Sequence, residues 1–196
     1  MVGRSHGLST VACRFFNVYG PRQALSNPYT GAAAIFSSRV KNGKPALIYE
    51  DGQQLRDFIN VRDLVEAKLF LLENEKANLD SYNICTGRPV SIYSIASTLS
   101  KLNGRADLEP FITGQFRDGD IRHCYGDASK LAALGWRSRI HLENGLRELV
   151  EWTNNQEAHD RLEEAHRELA AKGLVRSSNG HPLSSANGTK VAPVTR

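Results

Sequence analysis

Three short stretches of the chain gather arginine with Asp, Gly or Asn: Asn17 to Gln23, Gly52 to Asp63, and Arg117 to Arg122. A guanidinium is a planar, permanently charged fork that matches phosphate oxygens, and a neighbouring glycine lets backbone approach a ligand. Two or three such loops could therefore clamp a diphosphate. At Arg56-Asp57 and Arg117-Asp118 the same residues could instead form surface ion pairs of small energetic weight, and spacing alone leaves both readings open. Asn17, Tyr19 and Arg22 are first candidates for ligand contact because they follow directly on an apolar run. His6, His123, His141, His159, His166 and His181 show no metal-ligand spacing with Cys or with one another, so no metal site is expected.

These loops need a scaffold. Thr10 to Phe16 is rich in β-branched and aromatic residues and lacks polar alternation, which reads as a strand buried on both faces of a parallel sheet. Gly20-Pro21 ends it. In open α/β sheets the crevice beyond the carboxyl ends of the strands is the usual ligand site, which places Asn17 there. Upstream, Val2 to Leu8 reads as the end of a helix with Gly7 after it; a half-helix feeding a buried strand leads us to expect sequence before Met1. Downstream, Gly31 to Asn42 has helical spacing and Gly43 stops it. Pro45 to Tyr49 and Leu55 to Asn60 read as two strands of a hairpin-like element around Glu50-Asp51-Gly52. Asn60 sits where an N-cap belongs, with Asp63 three residues on, ahead of a mostly apolar helix.

Ser81 to Cys85 is a further strand and Ser91 caps a helix carrying Ile95, Leu99 and Leu102. Asp107 to Gln115 reads as extended, Phe116 to Arg122 as a polar loop, and Ala128 to Leu134 as a helix. The apolar spacing from near His141 to Leu169 predicts one long helix that Gly173 stops. From Arg176 to Arg196 the chain is rich in Ser, Asn, Gly and Pro and reads as a disordered tail.

The chain has 196 residues and a formal charge of +4. Lys172, Arg176, Lys190 and Arg196 carry that excess, leaving 21 of the 25 basic residues against 21 acidic ones, so the body is neutral and nucleic-acid binding is not expected. The three cysteines lie far apart and read as reduced core residues. No apolar run reaches the roughly 18 residues of a membrane span, and Met1 to Gly7 lacks a signal-peptide core. A cytoplasmic protein without a membrane partner is expected.

From Gly7 to about Asn155 the sequence resembles the extended short-chain dehydrogenase/reductases, specifically the NAD-dependent nucleotide-sugar epimerases and dehydratases. The carriers are Arg14-Phe15-Phe16-Asn17-Val18-Tyr19-Gly20-Pro21, the Gly52 to Asp63 motif with its Arg56-Asp57-Phe58-Ile59, Tyr82-Asn83-Ile84-Cys85-Thr86-Gly87, and Arg117-Asp118-Gly119-Asp120 followed by Asp127-Ala128-Ser129-Lys130 and Leu134-Gly135-Trp136. The resemblance implies an α/β fold: the last strands of a partial Rossmann-like parallel sheet plus a small α/β substrate-binding domain, over residues 1–175, with 176–196 as tail. It implies NAD as cofactor, with Phe15 and Phe16 on the nicotinamide side. It also implies a nucleotide-sugar held by Asn17, Arg56 and Arg117 at the diphosphate and Asp120 at the ribose. Ser26-Asn27-Pro28-Tyr29-Thr30-Gly31 is most similar to 4-epimerases acting on dTDP- or UDP-hexoses. A 4,6-dehydratase fragment and a non-catalytic nucleotide-sugar-binding module are the alternatives.

Two family features are missing from this sequence. No G-x-x-G-x-x-G follows any strand, and none of the six tyrosines has a lysine four residues on. The family's helix bearing Tyr-x-x-x-Lys ends just before the strand that Thr10 to Phe16 resembles. The resemblance thus implies a C-terminal half whose catalytic Tyr/Lys pair lies upstream of Met1, with no catalytic residue of its own; if one had to be found here, Tyr19 would be examined first. Family members commonly dimerise through helices that precede this stretch, so a homodimer is expected of the complete enzyme.

Overall fold

The computed structural model describes residues 2–177 except Pro28, Thr30 and Asp118. After the short helix α1 (Val2–Ser5), strands β1 (Val11–Phe15) and β2 (Asn17–Tyr19) follow with Phe16 alone between them. They have different partners. β1 pairs in parallel with β5 (Asp80–Ile84), from Val11 opposite Asp80 to Phe15 opposite Ile84. β2 pairs in parallel with β4 (Leu55–Asn60), Asn17 standing opposite Phe58. The chain thus changes neighbours at Phe16, and Asn17 sits where the sheet divides.

β4 is also paired, antiparallel, with β6 (Pro89–Ser91). It runs straight into α3 (Val61–Glu73), whose N-cap is built as the sequence predicts: the Asn60 side chain accepts from the Arg62 amide. Asp63, in the first turn, accepts from the Arg139 and Ile140 amides, tying α3 to the segment that leads into α6 (Leu142–Asn154). α4 (Ile92–Leu102) starts at Ser91, whose hydroxyl accepts from the Ser94 amide.

Alternation along β4 splits the core in two. Phe58 joins Tyr19, Phe36, Ile48, Ile95, Leu99, Leu146 and Leu149, a cluster closed by α2 (Ala32–Lys41), α4 and α6. Its neighbour Ile59 points the other way, into Leu64, Leu71, Tyr82, Ile84, Leu131 and Trp136, between α3 and α5 (Ser129–Ala133).

Five expectations are corrected. Leu47–Ile48, β3, does not form a hairpin with β4; it pairs in parallel with β7 (Phe111–Ile112), because Gly52 to Gln54 turns the chain away and Glu50 donates its amide to Gln115 O instead. The single long helix is two, α6 and α7 (Leu162–Ala171). The Lys41 ammonium donates to the carbonyls of Thr153, Asn154 and Gln156, ending α6 from outside, while Asp160 accepts from the Leu162 amide and starts α7. β1 is not buried on both faces: Ala12 and Arg14 are exposed on one face, and Phe15, at its end, on the other. The Phe116–Arg122 loop begins in fact as strand β8 (Gln115–Arg117), antiparallel to β9 (Val175–Ser177). Arg176 and Ser177, the first residues of the expected tail, therefore belong to a strand, and 178–196 lie outside the described residues. Among the described residues no helix is long and apolar enough to cross a membrane.

Candidate functional site

Asn17, Arg56, Arg117 and Asp120 line one cavity of about 210 Å³. They come from separate elements: the first residue of β2, the second of β4, the last of β8, and the turn after β8. Tyr49, Glu50, Gln54 and Leu162 complete much of the wall.

Each arginine is set by a different device. Arg56 donates from Nη1 to the carbonyls of Leu55 and Arg122, at 2.9 and 2.7 Å, and from Nη2 to Ile121 O at 2.6 Å. The Cys124 amide donates to Leu55 O, and the Leu55 amide to His123 Nδ1, so segment 121–124 is stitched onto β4 around the guanidinium. Neighbouring Asp57 is fully buried and accepts from the Thr86 amide and hydroxyl and the Gly87 amide. It locks the turn after β5, so Arg56 and Asp57 do not form the ion pair that was the alternative reading. The Arg117 guanidinium lies 4.6 Å from the centre of the Tyr49 ring. Its Nε is enclosed and has no hydrogen-bond partner among the described residues.

Carboxylates near the cavity are matched from outside it. Arg122 bonds Glu50 at 2.6 Å and Asp51 at 2.7 Å, and this pairing holds the Asp51 carboxyl below its ordinary pKa. Among the described residues neither Arg56 nor Arg117 is ion-paired to a carboxylate, Asp118 lying outside them, while Asp120 offers an exposed acceptor at the cavity's edge. A site of two fixed guanidinium groups, an asparagine amide and a carboxylate at the rim suits an anion that carries hydroxyl groups beside it.

The other candidate residues lie elsewhere. Phe15 is 49% exposed at the end of β1. The Phe16 ring packs against Gly126 and Cys85, where an added Cβ on Gly126 would stand 2.6 Å from both. Tyr19 is 2% exposed, its hydroxyl donating to Leu142 O at 3.3 Å; burial pushes its pKa up, which removes it as a general base. Arg22, with φ of 70°, faces a second cleft of about 900 Å³ with Arg62, Glu148 and Glu151. That cleft is larger, but Arg62 is already paired with Glu148, and a diphosphate there would meet two carboxylates. The smaller cavity is the better anion site.

Sequence reasoning missed Tyr49, Gln54 and His166. Tyr49 Oη and His166 Nδ1 are 2.8 Å apart, and Gln54 Nε2 donates to Tyr49 O at 2.7 Å. Only the Arg-rich loops carried a local signal; a tyrosine ending a short strand and a histidine within a helix carry none.

Among the described residues, the glycine best placed after a strand does not form a seat for a dinucleotide pyrophosphate. The glycine that follows the divided strand, Gly20, is filled from behind: a Cβ there would stand 2.7 Å from Val61 Cγ1. That glycine serves packing and leaves no cradle of amides.

Comparison with known proteins converges on one group. Residues 1–85 match the NAD dependent epimerase/dehydratase family. Over 140 residues the chain is 41% identical to dTDP-L-rhamnose 4-epimerase of Burkholderia thailandensis, covering 71% of this chain and 38% of that one. Among solved structures, UDP-glucose 4-epimerase of Thermotoga maritima with UDP-glucose is 35% identical with a TM-score of 0.70, over 78% of this chain and 48% of that one. The Thermus thermophilus UDP-glucose 4-epimerase complex with NAD is 30% identical with a TM-score of 0.69, over 79% and 50%. The α/β fold with its parallel strands matches these Rossmann-like structures, and the chain spans half or less of the length of each of these proteins.

Proposed function

We propose, on the match of residues 1–85 to the NAD dependent epimerase/dehydratase family, that the chain supplies the nucleotide-sugar-binding part of a 4-epimerase acting on a dTDP- or UDP-hexose. The observation that carries this is the arrival of Asn17, Arg56, Arg117 and Asp120 from separate elements at one cavity. In this reading Arg56 and Arg117 neutralise the diphosphate, Asn17 donates to it, and Asp120 accepts from the ribose hydroxyls. At about 210 Å³ the cavity takes the diphosphate, with the nucleoside lying outward past Asp120 at the rim and the hexose extending toward Asn17 and the end of β1. Identity to dTDP-L-rhamnose 4-epimerase supports C4 epimerisation over dehydration.

NAD supplies the oxidation and reduction in the family, and no step of it is assigned to residues of this chain. Without the glycine turn and the Tyr-x-x-x-Lys pair, the chain alone binds substrate and does not turn it over. A non-catalytic binding module is the second reading, favoured by those same two missing motifs. We place the protein in the cytoplasm, in keeping with its three free cysteines, and assign any homodimer to the complete enzyme. The test has two arms. Calorimetry of the chain with UDP and dTDP should show binding that Arg56→Ala and Arg117→Ala weaken; binding unchanged in both variants defeats the site. Assay with NAD and UDP-glucose or dTDP-L-rhamnose should show no epimerisation by the chain alone. Turnover on adding a polypeptide with the glycine turn and Tyr-x-x-x-Lys separates the enzyme part from the binding module.

A further inference from the structure

The stretch whose motifs resemble the family ends near Asn155, yet α7, which lies beyond it, reaches the cavity at Leu162, and β9 pairs with the strand that ends in Arg117. α7 is anchored at its start by a nearly solvent-free ion pair, Arg39 Nη1 to Asp160 Oδ2 at 3.0 Å, with side chains 4% and 5% exposed. Lys44 holds Glu163, and Tyr29 Oη donates to Glu168 Oε2 at 2.9 Å. β9 runs beside β8 with Val175, 2% exposed, opposite Arg117. Leu162 lines the cavity, and one turn further along α7 His166 meets the Tyr49 hydroxyl.

We propose that His166 is a positioning residue for Arg117, acting through the Tyr49 ring, so that residues 162–177 complete the diphosphate-binding wall of the cavity. This rests on the nucleotide-sugar reading given above. Three contacts build it in series. The Arg117 guanidinium rests on the Tyr49 ring face, and its Nε has no hydrogen-bond partner among the described residues, so the ring sets the plane of the fork and leaves the Nη groups for ligand oxygens. The ring is set in turn by His166 at its hydroxyl and by Gln54 at its carbonyl. Burial, and then the nearby Arg117 charge, lower the His166 pKa, which favours the neutral imidazole; in the tautomer with its proton on Nε2, Nδ1 accepts while Tyr49 Oη donates. A donating phenol keeps its ring face electron-rich, which strengthens the attraction to the guanidinium.

The experiment is calorimetry of UDP and dTDP binding to the whole chain and to His166→Leu, His166→Asn, Tyr49→Leu and Arg117→Ala variants, with thermal melts to confirm folding. Asn places an amide oxygen near the Nδ1 position and should bind within about twofold of the unaltered chain, whereas His166→Leu and Tyr49→Leu should each weaken binding roughly 3- to 10-fold. In the Arg117→Ala background, His166→Leu should have no further effect. Equal losses for Asn and Leu at 166, no loss for Leu, or a loss that persists without Arg117 would each overturn the inference alone. Failure of the unaltered chain to bind either nucleotide overturns the cavity reading itself.

Discussion

The two sides of β4 are built to different standards of closure. On the Phe58 side, α2, α4 and α6 enclose an apolar cluster in which Ile95, Leu99, Leu146 and Leu149 are fully buried, and the anion cavity sits on this side. On the Ile59 side the only helices over the cluster among the described residues are α3 and α5, with Ala77 and Trp136 from the turns beside them. Around it the chain leaves a row of large apolar side chains in water: Phe15 at 49%, Val65 at 48%, Leu69 at 52% and Leu72 at 81%. Val65, Leu69 and Leu72 fall on one stripe of α3, turned away from the sheet. A binding site needs fixed side chains, and here it is carried by the half of the molecule that is complete in itself. The half that carries Phe15 and α3 is open.

The contrast can be broken from the closed side with the largest effect. Asp160→Ala would leave buried Arg39 with only the exposed Glu163, 3.5 Å away, as counter-charge and should cost about 3 kcal/mol of stability, read as a fall in denaturation midpoint. Because Asp160 also starts α7, a change under about 1 kcal/mol would mean that α7 is not part of the cooperative unit. Within the cavity, Arg56→Ala removes the two hydrogen bonds, to Arg122 O and Ile121 O, by which its side chain stitches segment 121–124 to β4. It should weaken UDP binding by about 2–5 kcal/mol and, unlike Arg117→Ala, should also raise amide exchange in 121–124. Loss of binding without faster exchange would assign Arg56 to ligand contact alone.

A smaller effect follows pH. The folded His166 pKa lies below its ordinary 6.5, so the unfolded chain binds the proton more readily than the fold. Stability should therefore decline as pH falls from about 6.5 through the depressed folded value, and hold above it. The lowered carboxyls of Asp51, Asp80, Asp107, Asp127 and Glu164 act in a separate window, below their unfolded range near pH 4. Melts of His166→Asn should lose the first slope and keep the second; an unchanged first slope would show that His166 is not buried beside Arg117.

What the sequence made legible follows the range of the interaction behind it. β4 was readable, and so was the start of α3, because Asn60 and Asp63 act within a turn. Pairing partners were not: β3 reads as a hairpin arm, yet its partner β7 is some sixty residues away. The single helix from 141 to 173 misled because its apolar spacing runs on through Ala158, while the break is imposed by Lys41 and Arg39 from α2. Likewise Asn17, Arg56, Arg117 and Asp120 were marked by type and motif, but Tyr49 and His166 act only through tertiary contact.

The smallest effect belongs to the open side, and it is the sharpest test of the comparison. Leu72 is 81% exposed and Leu69 52%, so replacing both by Ser removes little buried area and should change stability by no more than about 0.5 kcal/mol each. The same pair of changes at Leu146 and Leu149, both fully buried, should cost several kcal/mol. Stability is not the only readout. If the α3 stripe and Phe15 form a connected apolar surface that lacks a cover, the chain should bind a hydrophobic dye and self-associate at raised concentration. Leu69→Ser with Leu72→Ser should reduce both while leaving UDP binding as it was, because the cavity lies across β4 from α3. A cost of 2 kcal/mol or more from those two serines, or a change in UDP affinity with them, would mean that α3 is held by contacts on its outer face and that the two sides of β4 are not independent.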